Sequence, residues 1–237
     1  MRLKITFKTI PGFKLPYNNN YTIATVIYNA LEDTHFATEL HDSRGFKYFT
    51  FSQVQIPQLK IQPDGLVTKD GKFQVQVSSV NEEFIKNLWY GLFSNPKIDF
   101  QGVQAEVEKA EIMKTPKFTE NMKFKTLSPI YLRTERDGKT WDLGPGEPEF
   151  KERLNENLFK KYWSYYKNHD HLYLDFKPLK GTVKQKRIII KKDNIEIYHR
   201  SNQMKFELTG PEKLLEFAWQ VGLGEKTSMG FGMVDMA

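Results

Sequence analysis

Hydrophobic and polar positions alternate along Arg2–Lys8. Leu3, Ile5 and Phe7 fall on one side, and Arg2, Lys4, Thr6 and Lys8 on the other. A period of two predicts a half-buried strand with its charged face outward. A loop follows through Pro11-Gly12 and Pro16, and Asn20 is the expected N-cap of a helix. From Tyr21 to Asp33 the apolar residues Ile23, Val26, Ile27, Ala30 and Leu31 recur at helical spacing. The stretch from His35 to Gly45 reads as a connection. Tyr48 to Ile56 reads as a strand ended by Pro57, and Phe73, Val75 and Val77 alternate with Lys72, Gln74 and Gln76 in a third. Asn81 caps a predicted helix through Phe84, Ile85, Leu88, Trp89 and Leu92, and Val103 to Met113 supplies a fourth strand. The order is β-α-β-β-α-β, the ferredoxin-like signature.

The second half repeats that order without repeating the sequence. Leu127 to Leu132 opens it as a strand, and Pro148 to Tyr166 is a helix. His171 to Phe176 and Lys184 to Ile190 are strands; Glu196 to Tyr198 and Met204 to Leu208 form a further pairing. Pro211 to Trp219 is a helix with proline in its first turn, and Phe231 to Met236 is the last strand. The expected fold is therefore α+β: two tandem ferredoxin-like (βαββαβ) domains, residues 1–120 and 121–237, with a C-terminal glycine-rich loop. An aromatic content of 14% supplies two cores and argues against disorder. The net charge of +6 favours an anionic partner such as nucleic acid. The chain has no cysteine, which excludes disulfides and thiolate metal sites and fits a cytoplasmic setting. The N-terminus alternates too regularly for a signal peptide. No apolar run has membrane-spanning length, so no membrane partner is expected.

Gly222 to Gly232, GLGEKTSMGFG, breaks the pattern with four glycines in one short loop. Glycine weakens packing, and its usual benefit is close approach of another backbone or a phosphate chain. A dinucleotide fingerprint needs a helix after the glycines, and too little chain follows Gly232 for one. A Walker-type loop needs glycine before Lys-Ser/Thr, and Glu225 stands before Lys226-Thr227. A loop rich in N–H donors remains, with Lys226, Thr227 and Ser228 added. It is suited to an anion, or else is a flexible turn. The RNA-binding candidates here are Gly222, Gly224, Lys226, Thr227, Ser228, Gly230 and Gly232.

Gly-Leu-Gly, a basic stretch and Gly-Phe-Gly at the end of a doubled ferredoxin-like chain resemble the repeat-associated RNA-binding superfamily of CRISPR systems. Within it the chain is similar to the repeat-processing endoribonucleases, the sixth CRISPR-associated protein family. The resemblance also runs through Leu15-Pro16-Tyr17-Asn18, Val26 to Leu31, Leu40-His41, Lys47 to Ser52 and Leu127 to Ile130. It implies a metal-independent endoribonuclease that cleaves CRISPR repeat RNA, with no cofactor. The alternative is a noncatalytic repeat-binding subunit. A CRISPR effector complex and a second copy of the chain are further partners it admits.

RNA can be cut without metal when its 2′-OH attacks the adjacent phosphate. The protein then needs a base, an acid for the 5′-oxygen and a stabiliser of phosphate charge, for which His, Tyr and Lys are suitable types. Tyr28 sits about 130° from the centre of its helix's apolar stripe. It is open to a role as base or phosphate donor, or simply to packing on a neighbouring loop. His41 and His35 have equal credentials by position; the resemblance selects His41, and adds Lys47, giving the catalytic set Tyr28, His41 and Lys47. The working assignment is His41 as acid and Tyr28 as base; residue types alone leave the two roles interchangeable. Lys177 to Lys192 has seven cations and no acid. It reads either as a solvated face or as phosphate contact, with Lys184, Lys186 and Arg187 as candidates. His169-Asp170-His171 has metal-like spacing but no third ligand nearby, so no metal site is expected.

Overall fold

The computed structural model describes the backbone of all residues except 43, 44, 101, 103, 170, 193 and 194, and leaves the side chains of 39–42, 191, 192 and 195 undescribed. The chain divides into two compact units, residues 1–47 with 52–115, and residues 48–51 with 116–237.

The first unit contains β1 (Arg2–Lys8), β2 (Lys14–Leu15), α1 (Asn20–Ala30) and α2 (His35–Asp42). After β3 (Phe49–Phe51), which groups with the second unit, come β4 (Leu59–Gln62), β5 (Gly65–Thr68), β6 (Lys72–Ser79), α3 (Glu82–Ser94), β7 (Lys97–Asp99) and β8 (Gln104–Met113). Its main strands run β6-β1-β8-β7, all antiparallel. The register sets Leu3 opposite Val77, Ile5 opposite Val75 and Phe7 opposite Phe73. One apolar face results, on which the Phe7 and Phe73 rings stack at 5.0 Å. Ile23 and Ile27 of α1 and Ile85 and Leu88 of α3 are buried, as their spacing requires. Asn81 caps α3: its Oδ1 accepts from the Glu83 and Phe84 N–H groups, and Glu82 and Glu83 suit the positive end of the helix dipole.

Several expectations change in this unit. Arg2 is fully buried rather than outward, and Thr6 is buried too. β1 is a central strand between β6 and β8, so neither of its edges meets solvent. The α1 helix starts at Asn20, with Asn19 in the cap position and no side-chain cap bond. His35–Asp42 is a helix, not a bare connection. The Tyr48–Ile56 strand shrinks to Phe49–Phe51, beyond which only Gln55 bridges to Gln74. A small sheet, β2-β5-β4, was not expected. Val103 lies outside the described residues.

The second unit holds β9 (Asn121–Thr126), β10 (Arg133–Arg136), β11 (Lys139–Asp142), α4 (Pro148–Tyr166), β12 (Asp175–Pro178), β13 (Lys184–Lys192), β14 (Ile195–Gln203), β15 (Lys205–Thr209), α5 (Glu212–Val221) and β16 (Val234–Met236). Its antiparallel sheet runs β12-β15-β9-β16, with hairpins β10–β11 and β13–β14 apart from it. Phe124 and Phe176 flank Phe206 with ring centroids 5.8 and 5.0 Å away. The first strand is β9, not Leu127–Leu132. From Ser128 on that apolar run is buried loop, and its bridge among the described residues joins Ile130 to Asn202. Pro129 lacks an N–H, so the run cannot sustain a central strand. Glu196 to Tyr198 pair with β13, whereas residues 205–209 lie between β12 and β9, so the expected pairing of these two segments does not form. The strand expected at His171–Phe176 begins at Asp175, and the last strand at Val234.

Candidate active site

Tyr28 projects from the last turn of α1 and is partly exposed, consistent with its place off the apolar stripe. Lys47 reaches it: the Nζ donates to Tyr28 Oη at 3.0 Å and lies 5.3 Å from the ring centroid. One of three ammonium donors is used in that bond. The pair thus presents a cation and a phenol at one point. His41 lies in the final turn of α2 by its backbone; its side chain is outside the described residues. His35, its rival, is solvent-exposed and lies ring to ring with Phe36 at 4.0 Å.

The glycine loop belongs wholly to the second unit. Gly222, Gly224, Gly230 and Gly232 all have positive φ, and so does Lys226 at φ 55°. The two limbs of the loop close on each other: Leu223 N–H donates to the Gly232 carbonyl at 2.9 Å, and Gly232 N–H to Pro129 O at 2.8 Å. A Cβ at Gly232 would sit 1.9 Å from Leu223 O, and one at Gly224 would sit 2.5 Å from Tyr131 O. The close approach these glycines permit is therefore to the protein's own backbone. Thr227 opens a single 3₁₀ turn, Thr227–Met229, and is buried; Lys226 and Ser228 stay partly exposed at the tip. Thr50 of β3 donates its Oγ1 to Phe231 O at 2.9 Å.

A residue that sequence reasoning missed holds this loop. Lys161 of α4 is 4% exposed and donates its Nζ to the Gly224 carbonyl at 2.6 Å. Its spacing from Leu154 and Leu158 puts it on the buried stripe of the helix, which was the available signal. Burial pulls its pKa down from 10.5 to about 7, with Glu225 opposing. Between those values the unfolded chain binds a proton that the folded chain does not, so stability rises with pH across the window. The cost of charging the buried amine is fully present below pH 7. Each pH unit within the window corresponds to about 1.4 kcal/mol. In urea titrations from pH 6 to 10, the wild type should gain stability relative to Lys161→Met as pH rises. Parallel curves would contradict the assignment.

Strand alternation divides the basic hairpin. Lys184 and Lys186 stand opposite Gln203 and Ser201, whereas Arg187 stands opposite Arg200, and its guanidinium lies 5.2 Å from the Tyr198 ring centroid. All three are exposed. Replacing the three with alanine should weaken single-stranded RNA binding and reduce the slope of log K against log salt by about 0.7 for each phosphate no longer neutralised. An unchanged slope would leave them as solvated charges. Asp170 of His169-Asp170-His171 lies outside the described residues; among those described, no three His, Cys, Asp or Glu side chains gather as a metal site. No helix among the described residues is long and apolar enough to cross a membrane.

Residues 14–111 match the family model described as CRISPR-associated protein Cas6, N-terminal, and residues 113–236 match the C-terminal one. The chain belongs to the Cas6 family. It is 40% identical over 240 residues to CRISPR-associated endoribonuclease Cas6 1 of Methanocaldococcus jannaschii, covering 99% of this chain and 92% of that one. It is 33% identical over 229 residues to CRISPR-associated endoribonuclease Cas6 of Pyrococcus furiosus, covering 94% and 84%. A solved structure described as CRISPR associated protein Cas6 superposes with a TM-score of 0.87 at 40% identity, over 100% of this chain and 99% of the other.

Proposed function

We propose that this protein is the endoribonuclease that cuts CRISPR repeat RNA and releases guide RNAs. It does so without a metal, by attack of an RNA 2′-OH on the adjacent phosphate. The bond to the 5′-oxygen breaks, leaving a 2′,3′-cyclic phosphate and a 5′-OH. Tyr28 takes the 2′ proton, His41 gives a proton to the leaving oxygen, and Lys47 balances charge on the phosphorane. The observation that carries this reading is the 3.0 Å contact between Lys47 and Tyr28 in a chain of this family. The element order of the second unit and its strand order β12-β15-β9-β16 support a ferredoxin-like reading of that unit. The order β1-α1-…-β6-α3-β8, with β6 and β8 flanking β1, supports the same reading of the first. We assign the chemistry to residues 1–120. Residues 121–237 hold the RNA, with the glycine loop as a rigid mount for Lys226 and Ser228 and the basic hairpin on phosphates.

A noncatalytic, repeat-binding role is the second reading. It is favoured by a 30% identical relative described as the endoribonuclease-like protein Cas6nc of Pyrococcus horikoshii. Incubation with end-labelled repeat RNA in excess chelator separates the two. A single cut is expected. Tight binding with no cut, with or without added Mg²⁺, would support the second reading, and a cut that needs added Mg²⁺ would overturn the metal-free mechanism.

A further inference from the structure

Two hairpins of the second unit, β10–β11 and β13–β14, carry aromatic rings that its core does not use. Trp141 of β11 is 43% exposed and Tyr198 of β14 is 51% exposed, and both line one open cavity of about 490 Å³. Strand alternation accounts for Tyr198. Ile188, Ile190 and His199 take the buried face of their hairpin, so Arg187, Tyr198 and Arg200 share the outer one. The two hairpins meet where the Arg200 N–H donates to Asp142 Oδ2 at 2.7 Å.

The rings alternate with guanidinium groups. Those of Arg136 and Arg200 lie 5.0 and 5.2 Å from the Trp141 ring centroid, and that of Arg187 lies 5.2 Å from the Tyr198 centroid. Cations so placed favour the electron-rich ring face. Each ring is also fixed at its polar end. Trp141 Nε1 donates to Glu147 Oε2 at 2.9 Å, and Tyr198 Oη donates to Glu196 Oε2 at 3.0 Å. The Glu147 carboxylate accepts from the Arg136 guanidinium at 2.9 Å and from the Gly144 N–H at 2.6 Å as well. Trp141 is therefore held in place before any ligand arrives, and little side-chain freedom is lost on binding.

A solvent-facing stripe of alternating cations and rings results. An inorganic anion would use the cations and leave the rings wet. An apolar peptide face would cover the rings and cut the guanidinium groups off from water without a counter-charge. A nucleotide strand suits both, with bases on the rings and phosphates on the cations. In a duplex the bases are already stacked on one another, so the strand must be single. We propose that this stripe is a base-stacking surface for single-stranded RNA, with one base on Trp141 and another on Tyr198. A phosphate that draws Arg187 off its ring leaves that face of Tyr198 to the base. That the strand is repeat RNA rests on the RNA-processing reading; the stacking chemistry does not.

The test is the fluorescence of Trp141 in the full chain, obtained by difference against Trp141→Phe because the chain has four tryptophans. Three ligands are added in turn: a single-stranded oligoadenylate, an abasic ribose-phosphate chain of the same length, and a repeat RNA with a 2′-deoxy nucleotide at the cut site. Saturable quenching is expected with the two RNAs that carry bases and not with the abasic chain. Trp141→Ala and Tyr198→Ala should each weaken binding of the oligoadenylate by about 5–150-fold, the loss of one stacked base. The slope of log K against log salt should stay at the wild-type value, since no phosphate contact is removed. Trp141→Phe and Tyr198→Phe keep a ring and should keep most of the affinity; melting curves establish that all four variants fold. Equal quenching by the abasic chain, or a salt slope that falls in the alanine variants, would show phosphate contact and overturn the stacking proposal. No response to either base-carrying RNA also overturns it and leaves the stripe to a protein partner. If all-ribose repeat RNA is cut normally while Trp141 stays silent, this inference fails and the nuclease reading stands. If the RNAs quench Trp141 but repeat RNA is never cut, the nuclease reading fails and the stacking surface stands.

Discussion

His41→Ala lowers the single-turnover rate of repeat cleavage by about 10²–10⁴-fold, the span that a positioned general acid contributes, while RNA affinity stays at the wild-type level. The alkoxide leaving from the 5′ side is a poor leaving group unless it is protonated as the bond breaks. Histidine is the one side chain whose ordinary titration range allows it to hold that proton at neutral pH and return to the acid form. His41 lies in the last turn of α2, and Lys47 lies six residues on, with its ammonium on the Tyr28 hydroxyl. Lys47→Ala should cost about 10²–10³-fold, the loss of one electrostatic donor. Both losses belong to the chemical step, so they appear in the single-turnover rate and not in the binding constant. Full activity in His41→Ala would remove histidine from the mechanism.

Gly232→Ala should destabilise the fold by about 2 kcal/mol or more, since left-handed strain adds to a steric overlap. Its φ is +72°, and the added Cβ would lie 1.9 Å from Leu223 O and 2.9 Å from Leu223 C. Both are backbone atoms, held by the Leu223 N–H to Gly232 O bond that closes the loop. Relief requires the two limbs to part, which also displaces the Phe231 carbonyl from Thr50. A melting point about 4–8 °C lower is expected for a domain of this size, with RNA binding weakened as Lys226 and Ser228 lose their mount. Gly138→Ala is the control. Its φ is +69°, but nothing lies within 4 Å of its Cβ. It carries the strain without the overlap, and should cost about 1–2 kcal/mol or less. Equal losses in the two variants would mean that loop closure contributes nothing.

Strong periodicity made the long elements legible. β1, β6, α3 and α4 begin and end close to where alternation, an asparagine cap or a first-turn proline places them. Weak periods failed in both directions. Leu127–Leu132 is apolar enough for a buried strand but is loop, whereas lysine-rich Asn121–Thr126 holds a central place in the sheet. Strand neighbours supply that difference, and they are remote in sequence. Residue types in α1 pointed to Tyr28 as a residue off the core. Its contact with Lys47 crosses a turn, a helix and a stretch of loop that no local pattern reports. The glycines were read as a surface for an RNA backbone, whereas the backbone that comes close at Gly224 and Gly232 is the protein's own, a tertiary fact. Lys161 and His199 were missed for a shared reason. A buried cation or imidazole looks like surface in composition, and only its place on a buried face reveals it.

The central claim is that the RNA's own 2′-OH is the nucleophile. A repeat RNA with one 2′-deoxy nucleotide at the cut site tests this most directly, alongside the all-ribose RNA. The expected result is unchanged binding and no cleavage of the deoxy substrate, with a 2′,3′-cyclic phosphate on the upstream fragment of the ribose control. Cleavage of the deoxy substrate at the same bond would show that water or another nucleophile does the work, and would contradict the roles assigned to Tyr28, His41 and Lys47.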